Sequence, residues 1–202
     1  MTLSIPSRVI AAGELLQHIS RVEYAATPLY FGTSSANRYD DPTGDYGVLY
    51  LGFDLPTVLM ESVFHQHQWH RSRSRTITLS EIRGRIVRAV GVVERLNLAD
   101  MTAPGVMARE FGLNLGQLAS RRYIHTQRIS RQIHKALDYS GIPAFDGLLY
   151  PSRNNFPATC IALFCRARAK VVVVDDLPLA QHVDWPAFVN KYRIDVAKVR
   201  SR

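Results

Sequence analysis

A polar loop, a strand and a helix follow one another without a break between residues 38 and 61, and this order constrains the fold more than any other stretch. Residues 46–53, YGVLYLGF, should alternate in side-chain direction as strand residues do. We predict that one face of this strand packs on a core through three side chains, Leu49, Leu51 and Phe53. Tyr50 then points to the opposite face. Gly52 shares that face and leaves room beside the phenol for a ligand or another backbone segment.

A helix is predicted directly after this strand. Asp54 is a residue type that caps helix N-termini, and Pro56 falls in the first turn, where a missing N–H has no cost. Four apolar residues then share one stripe of the helix, namely Leu59, Met60, Val63 and Phe64. Glu61 lies at the edge of that stripe, so its carboxylate faces either solvent or a cleft.

Short motifs in this stretch and beyond it resemble the RES-domain family of bacterial toxins, which is named for arginine, glutamate and serine. The matching residues are Arg38 in NRYDDP, Tyr50 in YGVLYL, Glu61 in TVLME and Ser152 in LLYPSRNN. Arg21 in ISRV, followed by PLYFG, matches the family's earlier arginine, although the family often has an aromatic residue before it. The resemblance covers residues 21–164, except for residues 71–141, which no motif aligns.

The resemblance implies an α+β fold similar to that of ADP-ribosyltransferases, in which twisted mixed β-sheets with surrounding helices form an NAD cleft between them. It also implies an enzyme that uses NAD as its substrate and needs no metal. The implied catalytic residues are Glu61, Arg38 and Tyr50. The implied NAD-binding residues are Arg21, Arg38, Tyr50 and Ser152.

These side chains suit such chemistry on their own terms. Arginine binds a pyrophosphate through two parallel hydrogen bonds and keeps its charge. A phenol can stack on or border a nicotinamide ring, and a carboxylate can orient a ribose hydroxyl or stabilise positive charge on the ribose. Ser152 follows a predicted strand, where its hydroxyl can bond a ligand or another active-site residue. It is not expected to be a nucleophile, because no nucleophile elbow with flanking glycines surrounds it.

Three functions are compatible with the sequence. The resemblance implies a toxin that degrades NAD by hydrolysis or phosphorolysis of the nicotinamide–ribose bond, arresting growth unless an acidic antitoxin protein neutralises it. An ADP-ribosyltransferase that modifies a cellular protein would use the same residues. The net charge of +8 also fits a non-enzymatic nucleic-acid-binding protein. The sequence has no helix-turn-helix signature, zinc-ligand spacing or aromatic RNA-binding motif, so nucleic acid is expected only through the antitoxin.

Length and composition predict one domain over residues 1–202 with a substantial core. Mean hydropathy is −0.08 and no apolar run approaches 18 residues, so we expect neither membrane insertion nor secretion. Cys160 and Cys165 are five residues apart, and this odd spacing in one strand sends them to opposite faces. They are therefore not expected to pair, and the expected location is the reducing cytoplasm.

Other patterns predict the remaining elements. We expect a helix at residues 13–20, a strand of a second sheet at 85–98, a helix at 122–139 ended by Gly141, and a tail helix at 186–199. The predicted inward residues of the last two helices are Ile129, Ile133, Ala136 and Leu137, and Phe188, Val189, Tyr192 and Val196. Three histidines, His65, His67 and His70, do not share one helical face. A solvated helix end is therefore favoured over a metal site.

Overall fold

The computed structural model describes residues 4–65, 75–114, 116–117, 120 and 122–197. Its strands are β1 (Ser7–Ile10), β2 (Leu15–Arg21), β3 (Val48–Gly52), β4 (Arg75–Thr78), β5 (Arg85–Val92), β6 (Leu96–Asp100), β7 (Gly147–Pro151), β8 (Thr159–Phe164), β9 (Val171–Pro178) and β10 (Ile194–Ala197). Its α-helices are α1 (Leu55–Glu61), α2 (Leu79–Arg83), α3 (Val106–Phe111), α4 (Ile124–Lys135) and α5 (Trp185–Lys191). The predicted α+β class is confirmed.

Eight of these strands form one curled mixed sheet in the order β1-β6-β7-β8-β3-β2-β5-β9. Its β6 and β7 are parallel, and its other neighbouring strands are antiparallel. A separate parallel pair joins β10 to β4. The prediction of one strand of a second sheet at residues 85–98 is wrong. The exposed residues 93–95 turn the chain there, and both β5 and β6 belong to the main sheet.

The main sheet is split between β2 and β3. β2 pairs with β5 over seven residues and β3 pairs with β8 over five, but β2 and β3 share a single registered pair, Gln17 with Gly52. Beyond that pair the side chain of His18 connects the two strands, because its Nδ1 lies 2.9 Å from the carbonyl oxygen of Tyr50. A gap therefore opens in the sheet beside residues 18–21 of β2.

β3 is buried on both faces, as expected for a central strand. Leu49 and Leu51 pack in one apolar cluster, and Val48 packs in another on the opposite face, which confirms the predicted alternation. The predicted burial of Phe53 is wrong: this side chain is 41% exposed. The strand ends at Gly52, so Phe53 lies in the turn before α1 and no longer follows the alternation.

α1 begins as predicted. The Asp54 side chain caps it by accepting a hydrogen bond from the backbone N–H of Thr57 at 2.7 Å, and Pro56 lies in the first turn. Leu59, Met60 and Phe64 are fully buried against α2, α5 and β4. Burying a side chain of this size contributes roughly 1.5–3 kcal/mol. Ile19 of β2 and Val87 of β5 belong to the same cluster, so this packing holds α1 against the main sheet. The last residue of α1 is Glu61.

The helix predicted at residues 13–20 is wrong, because these residues form most of β2. Leu15, Leu16 and Ile19 have a spacing that a helix could also use, so the local pattern was ambiguous. Gly13 has a φ of +92° and turns the chain, and β2 then satisfies its backbone groups by pairing with β5. Long-range pairing therefore decides the structure of this segment.

Both later helices are shorter than predicted. α4 ends at Lys135, Leu137 is 57% exposed, and Gly141 lies in a separate turn with a φ of +77°. Ile129 and Ile133 are buried as predicted.

The predicted tail helix at residues 186–199 ends early as well. α5 stops at Lys191, Arg193 has a φ of +51°, and the chain continues as β10, where Val196 is 41% exposed. A left-handed residue cannot continue an α-helix, which explains the break. Phe188 is buried, and Val189 and Tyr192 are partly buried against the same cluster, as predicted.

In the part of the chain that the structure describes, no helix is long and apolar enough to cross a membrane. The two cysteines are unpaired, with Cys160 buried and Cys165 exposed. The prediction that both lie in one strand is wrong, because β8 ends at Phe164, before Cys165.

Candidate active site

The gap between β2 and β3 is a cleft with a volume of about 540 Å³. Four of the five residues predicted to form the site line it, namely Arg21, Arg38, Tyr50 and Glu61. The fifth, Ser152, lies behind Glu61 and is 2% exposed. The structure thus brings together residues that are separated by up to 131 positions in the sequence, from Arg21 to Ser152.

Glu61 is held in position by three hydrogen bonds. Its Oε1 accepts from the Ser152 hydroxyl at 2.8 Å, from the Arg153 backbone N–H at 2.8 Å and from the Asn154 backbone N–H at 3.1 Å. Its side chain is partly exposed and lines the cleft. The sequence allowed the Glu61 carboxylate to face either solvent or a cleft. In the structure it faces the cleft. Three donors on one oxygen fix the carboxylate without using Oε2.

The contact of Ser152 is with another site residue. Its hydroxyl donates to Glu61 and accepts a hydrogen bond from the backbone N–H of Asn155 at 2.9 Å. From the sequence, the partner of the Ser152 hydroxyl could be either a ligand or another active-site residue. In this geometry the serine hydroxyl contacts Glu61.

The loop after β7 is fastened to α1 at further points. The Asn154 side chain donates to the carbonyl oxygen of Met60 at 3.1 Å, and the Asn155 side chain donates to Thr57 Oγ1 at 3.0 Å. The hydroxyl of Tyr192, just after α5, donates to Asn155 Oδ1 at 2.6 Å. The end of α1 and this loop therefore form one unit around Glu61.

Arg38 lies against two aromatic rings. Its guanidinium carbon is 5.2 Å from the centroid of the Tyr39 ring and 5.6 Å from that of Tyr150, and these two rings are 4.5 Å apart. Burial alone lowers the pKa of Arg38, but Tyr39, Tyr150 and Glu61 oppose it and the net shift is upward. The guanidinium is therefore a permanent cation with a restricted orientation in the cleft.

Tyr50 connects β3 to the loop that carries Arg38. Its hydroxyl donates to Asp40 Oδ1 at 2.9 Å and accepts from the Tyr39 backbone N–H at 2.9 Å. Burial, followed by the neighbouring Asp40, raises the pKa of Tyr50 well above its ordinary value. The phenol thus stays protonated and fixes the backbone beside Arg38.

Two further side chains hold the same loop. Asp40 Oδ2 accepts from the backbone N–H of Asn37 at 2.9 Å and from its side-chain amide at 3.0 Å. From α4, the Gln127 amide donates to the carbonyl oxygens of Ser35 at 2.8 Å and Asn37 at 3.0 Å. The loop at residues 34–41 is therefore held in shape by its own hydrogen bonds and by those from α4.

The charges of the cleft favour an anionic ligand. Four arginines line it, Arg21, Arg38, Arg85 and Arg153, whereas Glu61 is the one acidic side chain among the described lining residues. Arg85 is hydrogen-bonded to Glu81, and Arg21 is more than half exposed, 4.0 Å from Glu23. The net local charge is positive in a concave site, where low-dielectric walls strengthen the field.

Sequence reasoning missed several lining residues. Tyr150 could have been found, because it lies two residues before Ser152 in the motif LLYPSRNN. His18 was hidden by the wrong helix prediction for its segment. Tyr123 and Arg85 carry no local signal, since only long-range pairing and helix docking bring them to the cleft.

Within the described residues, no group of three or more His, Cys, Asp or Glu side chains could hold a metal ion. His65 lines the cleft, with its Nδ1 bonded to the carbonyl oxygen of Ser62. His67 and His70 lie outside the described residues, as do residues 71–74 of the basic run RSRSR that follows them.

The sequence profile of the RES domain matches residues 15–185, a range that includes the split sheet and all five predicted site residues. The chain therefore belongs to the RES-domain family, as the motifs around Arg38, Glu61 and Ser152 predicted.

A solved structure, the M. tuberculosis MbcT–MbcA toxin–antitoxin complex, contains a chain of similar fold. The TM-score is 0.60 at 13% sequence identity, over 92% of this chain and 91% of the other. At this identity the similarity concerns the fold alone. No curated protein matches the sequence.

Proposed function

We propose that this protein cleaves the nicotinamide–ribose bond of NAD in the cleft between β2 and β3, and that it acts as the toxin of a toxin–antitoxin pair. One observation carries the proposal: a carboxylate fixed by three donors, Glu61, shares a positively charged cleft with an aromatic-flanked arginine, Arg38. RES-domain family membership adds the toxin context.

The reaction needs stabilisation of positive charge on the ribose. When the bond between the ribose carbon and the nicotinamide nitrogen breaks, its electron pair stays with nitrogen and the ribose carbon becomes electron-deficient. Glu61 Oε2 is the carboxylate oxygen that the three loop donors do not use, and it can bind a ribose hydroxyl or face the developing charge. Water then adds to the ribose carbon and loses a proton, or a phosphate oxygen adds in its place.

The arginines give the cleft its affinity for a dinucleotide. Arg38 and Arg21 are cations that bind a pyrophosphate through planar, two-pronged hydrogen bonding. Tyr50 supports Arg38 by fixing the backbone of the next residue. A volume of about 540 Å³ is within the range of small-molecule sites, roughly 300–1,000 Å³.

An acidic antitoxin protein is the proposed partner. The net charge of +8 favours an acidic surface, and the protein of similar fold was solved in a toxin–antitoxin complex. Such a partner would neutralise the toxin by covering the cleft. NAD and the antitoxin would both be met in the cytoplasm, which is the proposed location.

An ADP-ribosyltransferase would use the same cleft and differ in its acceptor, a protein side chain instead of water or phosphate. Direct nucleic-acid binding is less well supported, because one member of the basic run at residues 71–75, Arg75, is 4% exposed. A buried guanidinium is not available to a phosphate backbone.

The test is to incubate the purified chain with NAD and to identify both products over time. Free nicotinamide is expected from the wild type. ADP-ribose indicates hydrolysis, phosphorylated ADP-ribose that requires added phosphate indicates phosphorolysis, and ADP-ribose on added protein indicates transfer. Glu61→Gln can keep the three hydrogen bonds to Oε1 and should release nicotinamide at least about a hundredfold more slowly. The proposal is wrong if the wild type releases none, or if a folded Glu61→Gln variant is equally fast.

A further inference from the structure

His18 lines the cleft, next to the pair of Gln17 and Gly52 at which β2 and β3 separate. Its Nδ1 is 2.9 Å from the carbonyl oxygen of Tyr50. A carbonyl oxygen only accepts hydrogen bonds, so Nδ1 carries the proton of the neutral ring. Nε2 therefore presents a lone pair, and no other described residue makes a hydrogen bond to it.

The surroundings keep this imidazole neutral. Burial lowers the pKa of His18, and Arg88 lowers it further, while the Tyr50 carbonyl and Asp176 act in the opposite direction. The net shift is downward, so the ring is uncharged near neutral pH. His18 thus offers an acceptor without a negative charge.

Three residues with apolar side chains also line the cleft. Ile19 follows His18 on β2, Leu51 follows Tyr50 on β3, and Val58 on α1 packs over Gly52. Each is less than 10% exposed. They make the part of the cleft beside His18 and Gly52 apolar.

The apolar, uncharged part of the cleft beside His18 suits a group that loses positive charge during the reaction. The nicotinamide ring is cationic in NAD and neutral once released, and a site without charge disfavours the cation relative to the neutral product. A carboxylate at the same place would stabilise the cation and oppose cleavage. The carboxamide of the ring has N–H groups that need a hydrogen-bond acceptor. Arginine side chains only donate, so the arginines of the cleft cannot bond these groups, whereas His18 Nε2 can.

From these observations we infer that His18, Ile19, Leu51 and Val58 form the subsite for the leaving nicotinamide, and that His18 Nε2 accepts a hydrogen bond from its carboxamide. This inference rests on the proposed NAD-cleaving function. It makes His18 a specificity-determining residue: nicotinic acid adenine dinucleotide, with a carboxylate in place of the carboxamide, has no N–H to donate and meets the lone pair with a negative charge.

The experiment compares kcat/KM for NAD and for nicotinic acid adenine dinucleotide, in the wild type and in His18→Asn. Asparagine can keep a donor toward the Tyr50 carbonyl but is too short to place an acceptor where Nε2 lies, and its thermal unfolding is measured in parallel. The wild type should prefer NAD by at least about tenfold. In His18→Asn the kcat/KM for NAD should fall about tenfold, with little change for the other dinucleotide, so that the preference disappears.

The outcomes separate the two proposals. Nicotinamide release by the wild type with an equal preference for the two dinucleotides overturns this inference alone, and that result needs no variant to fold. An unchanged preference in folded His18→Asn overturns it too. A uniform loss of activity on both dinucleotides would indicate a merely structural role for His18 and would also overturn it. If the wild type releases nothing from NAD, the proposed function fails, and this inference fails with it.

Discussion

Glu61 and Ser152 are joined by a hydrogen bond in the candidate site. The serine hydroxyl, together with the backbone N–H groups of Arg153 and Asn154, occupies one carboxylate oxygen, so the other oxygen has a fixed direction in the cleft. Such fixed orientation is what a site needs to stabilise charge without reorganising during the reaction. The roles of single residues therefore depend on whether each side chain contacts the substrate itself or positions another side chain.

Replacing Ser152 with alanine separates direct from indirect action. The change removes one donor to Glu61 and the acceptor for the Asn155 N–H, while two backbone donors still hold the carboxylate. We expect kcat for nicotinamide release to fall about tenfold, with KM for NAD within about twofold of the wild type. Steady-state kinetics measures both quantities. A large rise in KM with unchanged kcat would instead mean that the serine binds NAD itself.

Replacing Arg38 with lysine tests the shape of the cation. Lysine keeps the charge but loses the planar fork and the flat surface that lies against Tyr39 and Tyr150. NAD affinity, measured by calorimetry in the inactive Glu61→Gln background, should weaken at least about tenfold. Equal affinity in the lysine variant would show that a point charge is sufficient and that the planar guanidinium beside Tyr39 and Tyr150 is unimportant for binding.

At the scale of elements, the site depends on the connection between β3 and the loop at residues 34–41. Tyr50 makes this connection, because its hydroxyl bridges Asp40 and the N–H of Tyr39. The loop has little regular structure, so it relies on such side-chain bonds for its shape.

Tyr50→Phe removes that hydroxyl and leaves a buried carboxylate and a buried N–H each without one partner. The free energy of unfolding should fall by about 1–3 kcal/mol, and NAD affinity should weaken because the backbone beside Arg38 is no longer fixed. Urea unfolding and calorimetry measure these effects. Tyr139→Phe is the matched control, since Tyr139 is fully exposed and its loss of a hydroxyl should change neither quantity. Tyr50→Phe with wild-type stability and affinity would contradict this role.

Sequence patterns predicted the elements whose signals are local. The alternation around Leu49 and Leu51 and the Asp54 cap gave the correct strand and the start of α1, because side-chain direction and capping depend on near neighbours. The helix predicted over β2 was wrong because strand pairing with β5, about 70 residues away, decides that segment. The split between β2 and β3 has no local signal for the same reason.

The candidate site shows the same division. Arg38, Tyr50 and Glu61 lie within one continuous stretch, and motifs identified them together. Their partners in the structure, such as Tyr150 and His18, come from strands that are distant in sequence, so only tertiary pairing brings them to the cleft. From the sequence, the Ser152 hydroxyl could bond either a ligand or another active-site residue. The structure shows the second of these, a hydrogen bond to Glu61.

At the scale of the whole molecule, the net charge of the chain has the same sign as that of the cleft. The chain carries +8, and the cleft itself holds four arginines against one carboxylate among its described lining residues. A field of this sign attracts an anionic substrate and an acidic inhibitor alike. Toxicity through NAD loss and toxicity through nucleic-acid binding would both use positive charge, so charge alone does not distinguish them.

Cellular NAD, measured after expression of the chain in bacteria without a partner, distinguishes NAD cleavage from nucleic-acid binding as the cause of toxicity. We predict that NAD falls before growth stops and before nucleic acid is damaged, and that Glu61→Gln, which keeps every cation, changes neither NAD nor growth. A variant neutralised at Arg71 and Arg73 should stay toxic; Arg75 is left intact because it is buried. Growth arrest with unchanged NAD, equally strong in the Glu61→Gln variant, would contradict NAD cleavage at Glu61 as the cause of toxicity.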